Sequence, residues 1–397
     1  MSAERKEFRC CLFVPNKMSS FGTDKSYNIS FFKYNNSTNN QEFTNMSTFK
    51  KKINNVRRNI LYALTKNVGV SKQKDANLLD KDKVKRVLIL RPNHRLGNQL
   101  LMTPLVQEVL ETFPNCKIDL FAGKVSPILF KNYERIDRII RLPRKPFKEL
   151  YKYIKTWLTL RRRRYDIAIN VAKDSSSGRL STKFARATYK FYGEEDAILK
   201  PLHADYIHIA KSPVYSLRYT LSRLGIENAN KEVPCLNLKL SAAELAEGKK
   251  KLESLIENKE ERTICLYTFA TGEKCYSESW WSEFYERLKS KYSNFNIIEI
   301  LPVENVSMIA FKAPSFYSKD IREMGAVMAN TAVWIGADCG IMHLASASNV
   351  PTLGFFSVTN AVSYFPYNKH SKALTTTELT MDDIFNEIDK VLLASQA

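Results

Sequence analysis

Residues 333–359 read Val-Trp-Ile-Gly-Ala-Asp-Cys-Gly-Ile-Met-His-Leu-Ala-Ser-Ala-Ser-Asn-Val-Pro-Thr-Leu-Gly-Phe-Phe-Ser-Val-Thr, and they decide the fold class. An apolar run predicts a buried strand over Ala332–Ile335. Gly336–Gly340 is a tight polar turn, Ile341–Ser348 has small residues at helical spacing, and Thr352–Phe356 returns as a second strand. This is an α/β unit with a helix packed closely on its sheet. Its turn brings Asp338 and several unpaired backbone N–H groups to a helix start. Such a start carries roughly half a positive charge and suits a phosphate. Ligands of open parallel sheets sit outside the carboxyl ends of the strands, where this turn lies. An ordinary capped helix, with Asp338 bonding the first-turn N–H groups, explains the same residues equally well.

The same alternation extends outward in both directions. Upstream, Val84–Leu90 is a strand, Arg91–Asn98 a turn and Gln99–Thr112 a helix. Strands follow at Ile118–Ala122, Ile136–Ile140 and Ile167–Val171, with a long helix over 147–164 and others over Leu180–Ala187 and Pro213–Leu224. Residues 189–210 read as short strands or loops. Nearer the opening stretch come the strand Thr263–Tyr267, the loop Thr268–Ser277, the helix Glu278–Lys291, the strand Ile297–Leu301 and the helix Ile321–Asn330. A helix over Met381–Leu393 closes the chain. Strands alternating with helices predict parallel sheets covered on both faces. At 397 residues the chain is too long for one ordinary core. The expected division is 84–235 and 263–397 as two α/β domains joined by 236–262, where Ala242–Glu257 is a charged helix.

Residues 1–47 are rich in Asn, Ser and Lys without a persistent period, which predicts a disordered extension. Residues 48–83 hold a basic amphipathic helix and a polar linker. Ile53, Val56, Ile60, Leu61, Leu64 and Val68 recur at helical spacing among Lys50–Lys52, Arg57, Arg58 and Lys66. Two readings stand for that helix: peripheral contact with an anionic membrane, or packing on its own domain with a solvated charged face.

Composition narrows the function classes. The apolar fraction of 44% is that of a soluble globular protein, and no run of 18 apolar residues predicts a membrane span. Cys10–Val14 is too short for the core of a signal peptide. Seven scattered cysteines with no Cys-x-x-Cys pair suggest reduced thiols in a cytoplasmic protein rather than a zinc site or a disulfide framework. No Asp-x-Asp pair suggests a metal. The net charge of +20 attracts polyanions, whether nucleic acid, anionic lipid or a phosphorylated glycolipid. No nucleic-acid-binding signature accompanies it, so nucleic acid is not the expected partner. No Gly-x-Gly-x-x-Gly follows a strand, which weighs against a nucleotide-dependent oxidoreductase or epimerase.

Two motifs, Arg95-Leu96-Gly97-Asn98 with Thr103-Pro104, and Asp338-Cys339-Gly340-Ile341-Met342-His343-Leu344-Ala345-Ser346, together resemble glycosyltransferase family 9, the ADP-heptose:lipopolysaccharide heptosyltransferases. The resemblance covers about residues 85–395. It implies a GT-B fold, two facing Rossmann-like doubly wound domains with a cleft between them. It also implies inverting, metal-independent transfer of heptose or a related sugar from an ADP-sugar to a lipopolysaccharide-core or similar anionic glycan, at the cytoplasmic face of the inner membrane. No cofactor is expected beyond the donor substrate.

By the same resemblance Thr271 and Lys274 contact the donor phosphates. Asp338 bonds the sugar hydroxyls, while the amides of Cys339 and Gly340 meet the diphosphate. Glu304 occupies the place of a carboxylate for the nucleotide ribose. His343 either faces the donor or is an ordinary core histidine. On the acceptor side stand Gly97 in its turn and the arginines Arg91, Arg95 and Arg179, whose guanidinium forks pair well with phosphate or carboxylate.

One departure matters. The family's proposed base is an Asp after the Gly, and here that residue is Asn98, whose amide has no useful basicity. Three explanations compete. Asn98 orients the acceptor while His94 or Asp338 takes the proton; or the acceptor differs; or the protein is a weak or inactive donor-binding module. Asn98 also suits a plain helix N-cap.

Overall fold

The structure is a computed structural model that describes residues 78–143, 149–193, 195–227 and 231–395. The expected extension over 1–47 and the amphipathic helix within 48–83 lie outside the described residues, apart from a short 3-10 turn at Lys81–Lys83 capped by Asp80.

The first sheet contains β1 (Arg86–Leu90), β2 (Lys117–Ala122), β3 (Ile136–Arg141), β4 (Tyr165–Asn170) and β5 (Ala187–Phe191). All its pairings are parallel, in the order β3-β2-β1-β4-β5. Its helices are α1 (Leu96–Leu100), α2 (Thr103–Thr112), α3 (Ser126–Leu129), α4 (Leu150–Thr159), α5 (Ser176–Phe184), α6 (Asp196–Leu202) and α7 (Ser212–Ser222). Helix α8 (Ala242–Glu253) follows the connection. The second sheet has β6 (Thr263–Tyr267), β7 (Asn296–Ile300), β8 (Ser315–Phe316), β9 (Val333–Ala337), β10 (Thr352–Phe356) and β11 (Lys372–Thr375), all parallel in the order β11-β10-β9-β6-β7-β8. With it run α9 (Glu278–Lys291), α10 (Ile321–Met328), α11 (Gly340–Ala347), α12 (Ala361–Tyr364) and α13 (Met381–Ala394). These are two Rossmann-like domains in the GT-B arrangement.

The central strands are those whose sequences lack a polar face. Val87–Leu90 and the whole of β9 are buried, as expected of strands covered by helices on both sides. Strand order reverses between β1 and β4 in the first sheet and between β6 and β9 in the second. The loops after these four strands therefore stand at the two switch points, where doubly wound sheets bind ligands.

Several elements differ from expectation for identifiable reasons. The helix expected over 99–112 is two helices, because Pro104 cannot continue the hydrogen-bond ladder and Thr103 Oγ1 donates to Leu100 O at 2.8 Å. The long helix expected over 147–164 is α4, ten residues from Leu150 to Thr159. Within 189–210 the chain forms helix α6 as well as the end of β5.

The domains also meet through their connection. Asn237 N donates to Thr103 Oγ1 at 3.2 Å on one side, and Leu238 N donates to Ala347 O at 2.7 Å on the other. Farther along the interface His208, fully buried, contacts Phe365 O through Nε2 at 2.9 Å, and Ile209 N donates to Ser363 O at 3.1 Å. Among the described residues no helix is long and apolar enough to cross a membrane.

Candidate active site

The turn after β1 is shaped by Gln99. This side chain is fully buried, its Nε2 donates to Asn93 O at 2.7 Å, and its Oε1 accepts from Ser126 Oγ at 2.7 Å. Arg91 N donates to Phe121 O at 2.8 Å and Arg95 N to Asn93 Oδ1 at 2.8 Å, so the loop is pinned from both ends. The pinned loop places Arg91 Nη2 3.0 Å from Asn98 Oδ1, to which it donates. Arg91 is only 5% exposed, and its Nε and Nη1 have no hydrogen-bond partner among the described residues. Burial pushes its guanidinium down to about 10, which leaves it cationic at neutral pH. A buried cation with unmet donors is costly to hold empty, and an anionic or polyhydroxyl ligand relieves that cost.

Arg91 and Asn98 line a cavity of about 600 Å³. The loop after β4 supplies Asn170, Lys173, Asp174 and Ser175 to its wall, and Tyr364 of α12 reaches it from the second domain. Asn170 Nδ2 donates to Ala172 O at 2.9 Å, which leaves its Oδ1 without a partner among the described residues. Asp196 is occupied by Lys173, Lys200 (3.4 Å) and Tyr206 (3.0 Å). Asp174 is exposed and has no ion pair among the described residues.

In the second domain, β9 and β6 end in the two turns that carry Asp338 and Lys274. Lys274 Nζ forms an ion pair with Asp338 Oδ2, and Asp338 is 5% exposed. Asp338 N donates to Phe355 O at 2.9 Å, fixing the turn to β10. Cys339 occupies the N-cap of α11 but its thiol makes no capping hydrogen bond. Helix ends leave their first N–H groups unpaired, so this start is open to an anion. Tyr276, in the loop with Lys274, packs against Trp280 at 4.5 Å between ring centres.

The two motifs, more than 240 positions apart in sequence, meet at their glycines. A Cβ on Gly97 would lie 2.8 Å from His343 Cδ2 and 3.5 Å from Gly340 Cα; one on Gly340 would lie 3.4 Å from Gly97 N. Position 97 therefore has no room for a side chain where α1 meets α11, whereas a Cβ on Gly340 would make only ordinary contacts. Gly97→Ala is therefore expected to cost about 1–3 kcal/mol of stability by overpacking. The displaced turn should lower any transfer rate about a hundredfold. Thermal unfolding and initial rates check both, and a variant with the wild-type rate would contradict the contact.

His343 is buried, its Nδ1 has no partner among the described residues, and burial holds it far below its usual range, at about 4, against the opposing pull of Asp338. His208 is lowered by burial in the same way, to about 3. Both therefore stay neutral in the folded state at pH values where an unfolded histidine, with its pKa of about 6.5, is charged. The unfolded chain then binds more protons, so stability falls as pH drops from about 6.5 towards 4. Each histidine should contribute a loss on the order of 1–2 kcal/mol by pH 5. Urea unfolding at pH 7.5 and 5 measures it; equal midpoints would contradict the assignment.

The residues expected from sequence are thus placed as follows. Arg91 with Asn98, Lys274 with Asp338, and Gly97 with Gly340 and His343 are brought together. Thr271 lies exposed at the start of the short turn holding Lys274, and Glu304 is exposed in the loop after β7. On the acceptor side three of the expected side chains do not line the cavity. Arg95 is exposed, and His94 is half-buried in the turn. Arg179 is buried, with Nη1 3.4 Å from Lys173 O and its guanidinium 5.8 Å from the Tyr192 ring centre. Arg179 therefore supports the loop carrying Lys173. Gln99, Asn170 and Tyr364 were not singled out by sequence. For Gln99 the sequence carries only a second amide beside Asn98; its burial is seen in the structure alone.

Two facing Rossmann-like domains with their switch-point loops turned towards one cleft define the class of the fold: a GT-B architecture. Residues 318–388, which contain the Asp338 turn, match the family model of glycosyltransferase family 9 (heptosyltransferase), the family the two motifs resemble. The fold is similar to that of a family 9 glycosyltransferase from Veillonella parvula, with TM-score 0.63 and 14% identity over 80% of this chain and 99% of that one. It is also similar to the ADP-heptose lipopolysaccharide heptosyltransferase II of E. coli, with TM-score 0.58 and 13% identity over 79% of this chain and 100% of that one. The E. coli heptosyltransferase WaaC, solved with ADP-2-deoxy-2-fluoro heptose, gives TM-score 0.55 and 14% identity over 77% and 99%. Among curated proteins no sequence matches.

Proposed function

We propose that the protein transfers heptose, or a related sugar, from an ADP-sugar to an anionic lipopolysaccharide-core or similar surface glycan on the cytoplasmic face of the inner membrane. The observation that carries this is the Gly97–Gly340 contact, which sets the Lys274–Asp338 turn of one domain against the Arg91–Asn98 cavity of the other. The two similar E. coli proteins support the donor class, since one is described as an ADP-heptose enzyme and the other holds an ADP-heptose analogue.

On this reading Lys274 turns from Asp338 to the donor diphosphate, and the first N–H groups of α11 share its charge. Asp338 is then free to bond sugar hydroxyls. Stabilising the charge on the leaving diphosphate lowers the barrier of such a reaction more than any other single effect. The acceptor oxygen forms the new bond to the anomeric carbon from the side opposite the breaking carbon–diphosphate bond, so configuration inverts and ADP leaves, without metal or cofactor. The acceptor's acidic groups pair with Arg91, and Asn98 orients its hydroxyl. The hydroxyl proton needs another acceptor. Asp174 is the exposed cavity carboxylate free of ion pairs among the described residues, and it fits that role better than His94 or Asp338.

A second reading, a donor-binding module with little activity, is favoured by Asn98 alone. Thermal unfolding with ADP, UDP, GDP or NADH, followed by a mass-spectrometric transfer assay, separates these readings. A ligand at a hundredfold excess over its Kd adds about 2.7 kcal/mol of stability. ADP alone should stabilise the protein. A preference for UDP or GDP overturns the donor, stabilisation by NADH or by none of them overturns the reading, and ADP binding without any transfer favours the module.

A further inference from the structure

Helix α4 has apolar residues on both of its faces. Tyr153, Trp157 and the following Leu160 pack inwards, with the Trp157 ring 6.2 Å from Phe121 and 5.8 Å from Phe184. Leu150, Ile154 and Leu158, four residues apart, form a second stripe left in solvent at 57%, 50% and 53% exposure, with Tyr151 beside them at 77%. Single exposed apolar side chains are ordinary, but a stripe along a whole helix is a contact surface in want of a partner.

The charges around the stripe are, with one exception, positive. Lys152 and Lys155 flank it, and Arg161, Arg162 and Arg164 follow, all exposed; between 149 and 164 Glu149 is the only acid, and it pairs with Lys152 at 3.2 Å on the exposed surface. Arg163 is withdrawn from this group by its ion pairs with Asp119 and Asp137. Lys183 and Lys190 add to the field near Arg161.

We propose that this face of α4 seats the protein on an anionic bilayer, with Leu150, Ile154 and Leu158 entering the headgroup boundary and Lys152, Lys155, Arg161 and Arg162 meeting lipid phosphates. A partner protein could cover the apolar stripe, but it would also need acids matched to a fringe of cations on both sides. An anionic membrane presents apolar depth and surface charge together in one plane. The geometry is consistent with a lipid-borne acceptor. Helix α4 joins two parallel strands and so runs antiparallel to them. Its first residues therefore lie at the carboxyl edge of the sheet, the edge that carries the Arg91 cavity. This seating does not depend on which sugar is moved.

Sedimentation of the full-length chain tests it, with vesicles of phosphatidylglycerol and phosphatidylcholine in about equal parts or of phosphatidylcholine alone. Wild type should prefer the anionic vesicles, and added salt should weaken the association. The variant L150S/I154S/L158S should lose at least about tenfold in partitioning, and R161E/R162E should lose the preference for anionic lipid. Because all five side chains are exposed, both variants should keep the wild-type unfolding midpoint. A Tyr151→Trp reporter should be quenched by brominated lipid beyond the wild-type signal. The proposal is overturned if the triple variant sediments like wild type, which would place binding elsewhere in the chain. It is equally overturned if wild type ignores vesicles, binds neutral ones as well, or self-associates through this stripe without lipid.

Discussion

Replacing Lys274 by alanine should lower kcat/KM for the nucleotide-sugar donor by about two to three orders of magnitude, with most of the loss in kcat. The reason lies in what the ammonium faces in the two states. In the free protein it is paired with the nearly buried Asp338 carboxylate. On the proposed reading, the developing diphosphate charge of a bound donor competes for it in a site already carrying the positive end of α11. Alanine removes that charge and leaves Asp338 repelling the diphosphate as well. Free-protein stability should change less. Lys274 is about one-third exposed, so screening reduces the loss to about 1 kcal/mol. Lys274→Arg should recover part of the rate, because the charge is kept while the point geometry is not. Steady-state rates and ADP-dependent thermal shifts on the three proteins check this. A Lys274→Ala protein with the wild-type kcat would remove this residue from the chemistry.

The parts of this site legible in sequence were those governed by local turn chemistry. A Gly-bounded turn between an apolar strand and a small-residue helix defined the Asp338 corner, and the structure forms β9, α11 and β10 there. The apolar runs at Val87–Leu90 and Thr263–Tyr267 were legible for the same reason, since a strand covered on both sides has no polar face to mislead the eye. What escaped depends on contacts between distant residues. Nothing local marks Tyr364 as a wall of a cavity built by the other domain, or shows that Arg179 turns inwards to hold the Lys173 loop. Pro104 did carry a local sign of the break between α1 and α2, yet the apolar period runs through it. Both short helices bury their apolar residues, so the period alone concealed the break.

The largest loss of stability is expected away from the chemistry, at Arg322 on α10. This side chain is 4% exposed and ties both domains and their connection together. Its Nε and Nη2 donate to the Glu244 carboxylate at 2.6 and 2.8 Å, Nη1 donates to Leu238 O at 3.0 Å, and Nη2 also reaches Lys239 O at 3.0 Å. Nη1 lies 3.4 Å from Ile128 O at the end of α3 in the first domain. Arg322→Met keeps most of the volume but strands Glu244 and these carbonyls, at a cost of about 3 kcal/mol. Adding Glu244→Gln should restore part of it, since the stranded charge is then gone. The pH dependence supplies the sign. Arg322 holds the Glu244 carboxyl well below the usual carboxylate range, so its contribution is present above an unfolded-state pKa of about 4.5 and fades as pH falls towards the lower folded-state value. That window opens about two pH units below the onset of the histidine loss near 6.5, and although the two overlap below about 4.5, comparing wild type with the variant isolates the Glu244 part. In Arg322→Met the acid limb below about pH 4.5 should flatten while the histidine limb persists. Urea unfolding of wild type and variant across about pH 3.5 to 7.5 measures both limbs. An unchanged acid limb in the variant would mean that Glu244 draws its stability from its capping contacts with Ser241 and Asn132 rather than from the buried guanidinium.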